Sequence, residues 1–178
     1  MTGHPGVAPQ HLLAFGAIVQ WFARHEYLMQ TAMAGITGTD LSTILVLTAG
    51  LSYTAKRDAL ASLTHTTGLP EPVGEAVRTY LDDLNRHNGL RNAVAHSMWV
   101  PGSRPDSIKP MRLIVRGGIG KPVGHIEDER DYLAEELLQV ATDVAGIYQR
   151  FVEFLLSSGL VREVAAQTLK SDHPHPTA

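Results

Sequence analysis

Cysteine is absent from this 178-residue chain. Its absence removes disulfides, thiolate zinc sites and cysteine nucleophiles, and it fits a reducing compartment, with the cytoplasm as the default. Basic residues are also in short supply, since 15 lysines and arginines against 18 aspartates and glutamates leave a formal charge of −3. A broadly basic nucleic-acid-binding face is therefore excluded, and any RNA contact has to be local or built where two subunits meet. Long apolar runs are missing too. Met1 to Gln10 holds no lysine or arginine ahead of the first apolar run, Leu12 to Val19, which is too short to cross a bilayer. Neither a signal peptide nor a membrane anchor is expected, and no membrane partner. Gly117 to Lys121 invites a phosphate-loop reading and fails it: Val115 stands where the first glycine is needed, and Pro122 where serine or threonine should hold magnesium.

What is present is an ordinary globular composition, 44% hydrophobic and 19% charged, enough for one domain with a sizeable core. A lead at 1–8 precedes a single domain at 9–170, and 171–178 reads as a loose tail. Leu12, Phe15, Ile18, Phe22, Met29, Met33 and Ile36 recur at helical spacing and predict a long first helix that stops near Gly35 or Gly38, its stripe interrupted at His25 and Glu26. Thr39 or Asp40 can cap a short second helix through Leu41, Ile44 and Thr48. A third carries Tyr53, Leu60 and Leu63 and ends by Gly68-Leu69-Pro70; a fourth runs from about Pro72 to His96. Between 100 and 127 the pattern changes to proline, glycine and two β-favouring runs, Met111 to Val115 and Pro122 to Ile126. A last long helix follows with Leu133, Leu137, Val140, Val144, Ile147, Phe151 and Leu155, and Leu160 to Leu169 can add a short terminal one. The expected architecture is all-α: an antiparallel bundle of four to five helices with a small β-hairpin or irregular loop inserted before the last long helix.

The informative departure lies on the fourth helix. Its core-facing positions 77, 81, 84, 88, 91 and 95 include Asn88 and Arg91, and a buried arginine is costly unless paired. At 100° per residue, Asn92 and His96 sit one turn apart on the same side as Asn88, with Arg91 beside it, so all four border one groove. Gly89, within that turn, costs roughly 1 kcal/mol against alanine and hints at close approach by another backbone or a ligand. Arginine offers a permanent forked charge suited to phosphate, and histidine exchanges protons near neutrality. A structural alternative has Arg91 bracing Glu26, Asn92 completing a hydrogen-bond network and His96 favouring the helix C-terminus.

Arg91-Asn92-Ala93-Val94-Ala95-His96 fits the pattern arginine, polar residue, three residues, histidine, late in a bundle helix and ahead of another long helix. With Ser97-Met98-Trp99 following, the chain resembles the HEPN superfamily of all-α proteins. That resemblance implies a metal-independent endoribonuclease that needs no cofactor and acts as a homodimer, the motifs of two subunits facing one cleft. Arg91, Asn92 and His96 are then the catalytic candidates. Glu26, Asn88, His87 and Lys56 are supporting or substrate-binding candidates, with two copies of Arg91, Arg86, His87 and Lys56 making a positive cleft on an acidic protein. Read on its own, Lys56 is a lysine whose stem packs while its head reaches water. RNA is the implied substrate, and an antitoxin or regulatory protein the implied partner of a toxin or defence effector. The alternatives are a non-catalytic module that binds nucleotide, RNA or protein, and a structural helical dimer. His173-Pro174-His175, in the tail, and the adjacent carboxylates Asp82-Asp83 and Glu135-Glu136 are assigned no role, and no metal site is expected.

Overall fold

The computed structural model describes residues 7–111 and 130–161, and the backbone alone at 112–113 and 125–127. The fold is all-α with a small antiparallel sheet before the last helix, as expected. Five helices are described: α1 (Pro9–Thr37), α2 (Leu41–Thr48), α3 (Tyr53–Thr66), α4 (Glu71–His96) and α5 (Ala134–Ser157). The strands β1 (Met98–Pro101), β2 (Ile108–Leu113) and β3 (His125–Glu127) lie between α4 and α5. Two compact units form. The first takes the chain up to Phe22 together with Arg86–Val144, and the second takes Ala23–Asn85 with the chain from Ala145 onward.

Helix ends follow their local chemistry. Asp40 is the N-cap of α2, its carboxylate accepting from the Thr43 N–H at 2.9 Å, and Ser52 caps α3 from the Ala55 N–H at 3.2 Å. Hydroxyl and amide donors from Ser42 and Thr43 hold the Asp40 carboxyl at about 2. Gly38 ends α1 in the left-handed region at φ 66°, a conformation costly for a side chain with a Cβ.

In the second unit, Leu28, Met29 and Ala32 of α1 are fully buried, as are Leu60 of α3, Val77 and Leu84 of α4, and Leu155 of α5. Tyr80 of α4 stacks on Phe151 of α5 with centroids 3.7 Å apart and planes 7° from parallel. Gly35 of α1 lies directly beneath the Leu160 carbonyl, where any Cβ would collide with backbone. The expected break in the α1 stripe at His25 does not occur. His25 is fully buried, its Nδ1 2.9 Å from the Tyr80 hydroxyl, so a polar residue occupies a core position by finding a buried partner. Burial pushes the Tyr80 hydroxyl well above its ordinary pKa, with Tyr53 and Tyr148 adding to the effect.

In the first unit, α1 buries His11, Ala14, Ile18 and Phe22, one residue out of step with the expected start at Leu12, which is 56% exposed. The insertion is three-stranded in the order β1-β2-β3. The pairing of Met111 with Glu127 and Leu113 with His125 matches the expected hairpin, while β1, pairing Trp99 with Pro110 and Val100 with Lys109, is an addition. Four residues ending in proline, one residue after a helix, carry too little alternation to signal a strand. The expected Gly117–Lys121 turn, most of the Leu160–Leu169 helix and the tail lie outside the described residues. No helix among the described residues is long and apolar enough to cross a membrane.

Candidate functional site

α4 is 26 residues long, about 39 Å. In the second unit Val77, Tyr80, Leu81 and Leu84 are buried. From Arg86 onward the helix belongs to the first unit, where Ala93 is buried. The stripe expected through 88, 91 and 95 is thereby corrected: Asn88 and Arg91 are half-buried and Ala95 is exposed. Extrapolating one face over seven turns assumes a continuous apolar cover, which Asn88, Arg91 and Ala95 do not have.

Asn88, Arg91, Asn92 and His96 fall within an arc of about 140° that excludes Ala93. Arg91 Nη1 donates to Asn92 Oδ1 at 3.1 Å, so the amide holds one arm of the guanidinium. Asn92 is half-buried, and His96, the last residue of α4, is exposed. His87 is half-buried, and the Asn88 side-chain oxygen is buried with no hydrogen-bond partner among the described residues. Gly89 is exposed, and a Cβ there would meet no described residue within 4 Å, so the close approach expected at this glycine is not made by any of the described residues.

The two remaining candidates meet each other in the second unit. Lys56 Nζ donates to Glu26 Oε2 at 2.8 Å, with the lysine side chain 10% and the glutamate side chain 22% exposed. The Lys56 head, expected to reach water, is instead engaged by a carboxylate.

The sequence takes Trp99 only as the continuation of the motif and shows no partner pattern for His11. The Trp99 ring sits 4.7 Å from Phe15 and edge-on to Tyr132 at 5.8 Å, which ties the strand after the motif to α1 and to the segment entering α5. Its Nε1 and both ring nitrogens of His11 are buried without hydrogen-bond partners among the described residues. Histidine on an apolar face carries no distinguishing pattern, and only the i, i+3, i+7 spacing of His11, Ala14 and Ile18 could have placed it inward.

A polar anchor fixes the β1–β2 turn. Asp131 accepts from the Ser103 N–H at 2.6 Å, the Ser103 hydroxyl at 2.5 Å and the Arg104 N–H at 3.1 Å, and these donors hold its carboxyl at about 2. Arg104 pairs with Glu136 at 2.7 Å and donates to the Asp131 carbonyl at 2.7 Å. Glu136, assigned no role by its sequence, is a structural partner whose pKa Arg104 lowers.

The second unit also holds a groove of about 490 Å³ between α4 and α5. Ala76, Tyr80, Ile147, Phe151 and Phe154 line it, with Asp83 and Arg150 3.6 Å apart at its edge. None of the motif residues lines it. Among the described residues no group of three or more histidine, aspartate or glutamate side chains is placed to hold a metal. Against protein-family models, curated proteins and solved structures, the chain matches none.

Proposed function

We propose that this chain is a HEPN-like, metal-independent endoribonuclease that works as a homodimer in the cytoplasm, a toxin or defence effector held in check by a partner protein. The observation that carries the reading is the shared face of Arg91, Asn92 and His96 on the last turns of α4, open at His96 and backed by the Arg91–Asn92 hydrogen bond. His96 takes the proton of a ribose 2′-hydroxyl as that oxygen attacks the adjacent phosphorus, and the bond to the 5′-oxygen breaks. The second copy of His96 returns a proton to the leaving oxygen. The products are a 2′,3′-cyclic phosphate and a 5′-hydroxyl, and DNA, lacking the attacking group, is not cut. A positioned acid or base of this kind contributes about 10² to 10⁴ in rate. Arg91 grips the phosphate and offsets the charge that builds on its oxygens, and Asn92 fixes the guanidinium.

The test is RNA cleavage in the presence of chelator, with matched DNA as control, comparing the parent with His96→Ala and Arg91→Ala. The expected result is cyclic-phosphate ends from the parent and a loss of at least about a hundredfold in both folded variants. No cleavage of any RNA by the well-folded parent defeats the reading. One observation favours a non-catalytic binding module instead: no hydrogen bond from a described residue orients the His96 ring, whereas a general base is ordinarily held by a third group. RNA binding without cleavage, weakened by Arg91→Ala and indifferent to His96→Ala, would establish that module.

A further inference from the structure

We infer that the groove between α4 and α5 in the second unit is the docking site for an amphipathic helix of another protein, one whose apolar stripe is flanked by lysine or arginine. None of the motif residues lines this groove, so the inference stands apart from the nuclease reading.

The shape of the groove calls for a helix. On α4 its lining positions run from Pro72 to Asp83 at the i, i+3, i+4, i+7 spacing of one helix face, and on α5 they run from Ile147 to Phe154 in the same way. Two stripes, about 17 Å and 11 Å long, flank an elongated space of about 490 Å³, which a third helix fills with the apolar side chains of two or three turns. The floor is apolar. Tyr80 stacks on Phe151, whose ring lies 5.9 Å from Phe154, and the Tyr80 hydroxyl is engaged by His25, so what Tyr80 offers the groove is its ring.

Charge selects the occupant. Residues 71–85 and 145–157 carry Glu71, Glu75, Asp82, Asp83 and Glu153 against Arg78 and Arg150, a surplus of negative charge equal to that of the whole chain. Both guanidiniums already face carboxylates: Arg78 lies 2.6 and 2.8 Å from Glu71 and Glu75, and Arg150 lies 3.6 Å from Asp83. What the rim offers a ligand is therefore carboxylate, with the Glu71 and Glu75 side chains 82% and 67% exposed. RNA and anionic lipid are repelled from such a rim, and a second copy laid groove to groove would oppose acid to acid. The bare helices of a second copy do not match it either, since Pro9–Phe22 and Leu41–Ser52 hold no lysine or arginine to set against the rim. A helix with basic residues beside its apolar stripe answers both the floor and the rim.

The probe is a fluorescent synthetic helix of about five turns, with leucine at i, i+4 and i+7 and lysine on both flanks, titrated with the full chain and read by anisotropy. A scrambled peptide of the same composition and a version with glutamate in place of lysine are the comparisons. The striped basic peptide should bind, and the other two at least about tenfold more weakly. Thr79→Trp, which fills the groove from an exposed position, should weaken the probe about thirtyfold or more, and Glu75→Lys about threefold, with circular dichroism confirming that each variant is folded. Leu47→Glu, on the bare face of α2, should leave binding as it is. Equal binding of the three peptides, a probe indifferent to Thr79→Trp, or one as sensitive to Leu47→Glu overturns the site. A glutamate peptide that binds as well as the lysine one overturns the basic occupant. Two further results would reassign the groove and so overturn the partner helix: self-association of the chain that Thr79→Trp abolishes gives it to a second copy, and a probe that binds about tenfold tighter to Val164→Glu with Leu169→Glu gives it to this chain's own C-terminal segment.

Discussion

Replacing Gly89 with alanine isolates what that position is for. It lies inside α4, exposed, two residues before Arg91, and an added Cβ meets no described residue within 4 Å. With no clash to offset it, the substitution recovers the helix penalty of glycine, about 0.8–1 kcal/mol, by restricting the unfolded chain and shielding the helical backbone. For a protein of this size that gain raises Tm by about 2–4 °C. Thermal and urea unfolding followed by circular dichroism measures it, and an unchanged urea slope assigns the gain to stability rather than to a changed unfolded state. A variant that is less stable than the parent would refute the reasoning, because it would mean that something packs against Gly89. Combined with the cleavage assay the same variant says more. Higher stability with lower cleavage would mean that RNA or a second protomer comes close over this turn; higher stability with unchanged activity would leave the glycine without a role.

Other perturbations bear on the polar groups in the core and on the turn anchor. Glu26→Gln removes the carboxylate from a buried ammonium and should cost about 2–4 kcal/mol, slightly less than a fully buried pair, whereas Lys56→Met with Glu26→Gln should recover most of the loss in the same denaturation assay. If Lys56→Met alone abolishes RNA binding without lowering stability, the lysine serves phosphate rather than Glu26. Tyr80→Phe takes the hydroxyl away from a buried His25 Nδ1 and should destabilise by about 1–3 kcal/mol, and a neutral result would show that water or another group replaces it. The Asp131 carboxyl sits at about 2, below its ordinary 3.8, so its contribution is complete above pH 4 and is lost as pH falls from there toward 2. Acid titration of stability should therefore be shallower in that window for Asp131→Asn than for the parent, and identical slopes would deny the anchor its role.

The helices were legible because their stripes and caps are local. Asp40 caps α2 where a helix N-terminus needs an acceptor, and α1 stops at Thr37 just before a glycine with positive φ. What could not be read depends on partners distant in sequence. His25 counted as a break in the stripe until Tyr80, 55 residues later, supplied a hydrogen bond, and β1 is a strand only because Ile108–Leu113 pairs with it. The motif was found from its spacing, but its burial was overestimated: periodicity says which residues share a face, not where along a long helix the neighbours change. Lys56 and Glu26 both stand out as polar groups on apolar stripes, and nothing in either stripe shows that each answers the other.

The boundaries between the two units fall after Phe22, Asn85 and Val144, inside α1, α4 and α5 respectively. Every one of these cuts would sever a helix between its caps and orphan four amides and four carbonyls, a heavier loss than opening any loop. No boundary between the units therefore falls in a loop. Recombination, truncation or fusion cannot deliver the motif-bearing portion alone, and an inhibitor or engineered split reporter built on this protein has to begin from the entire helical set.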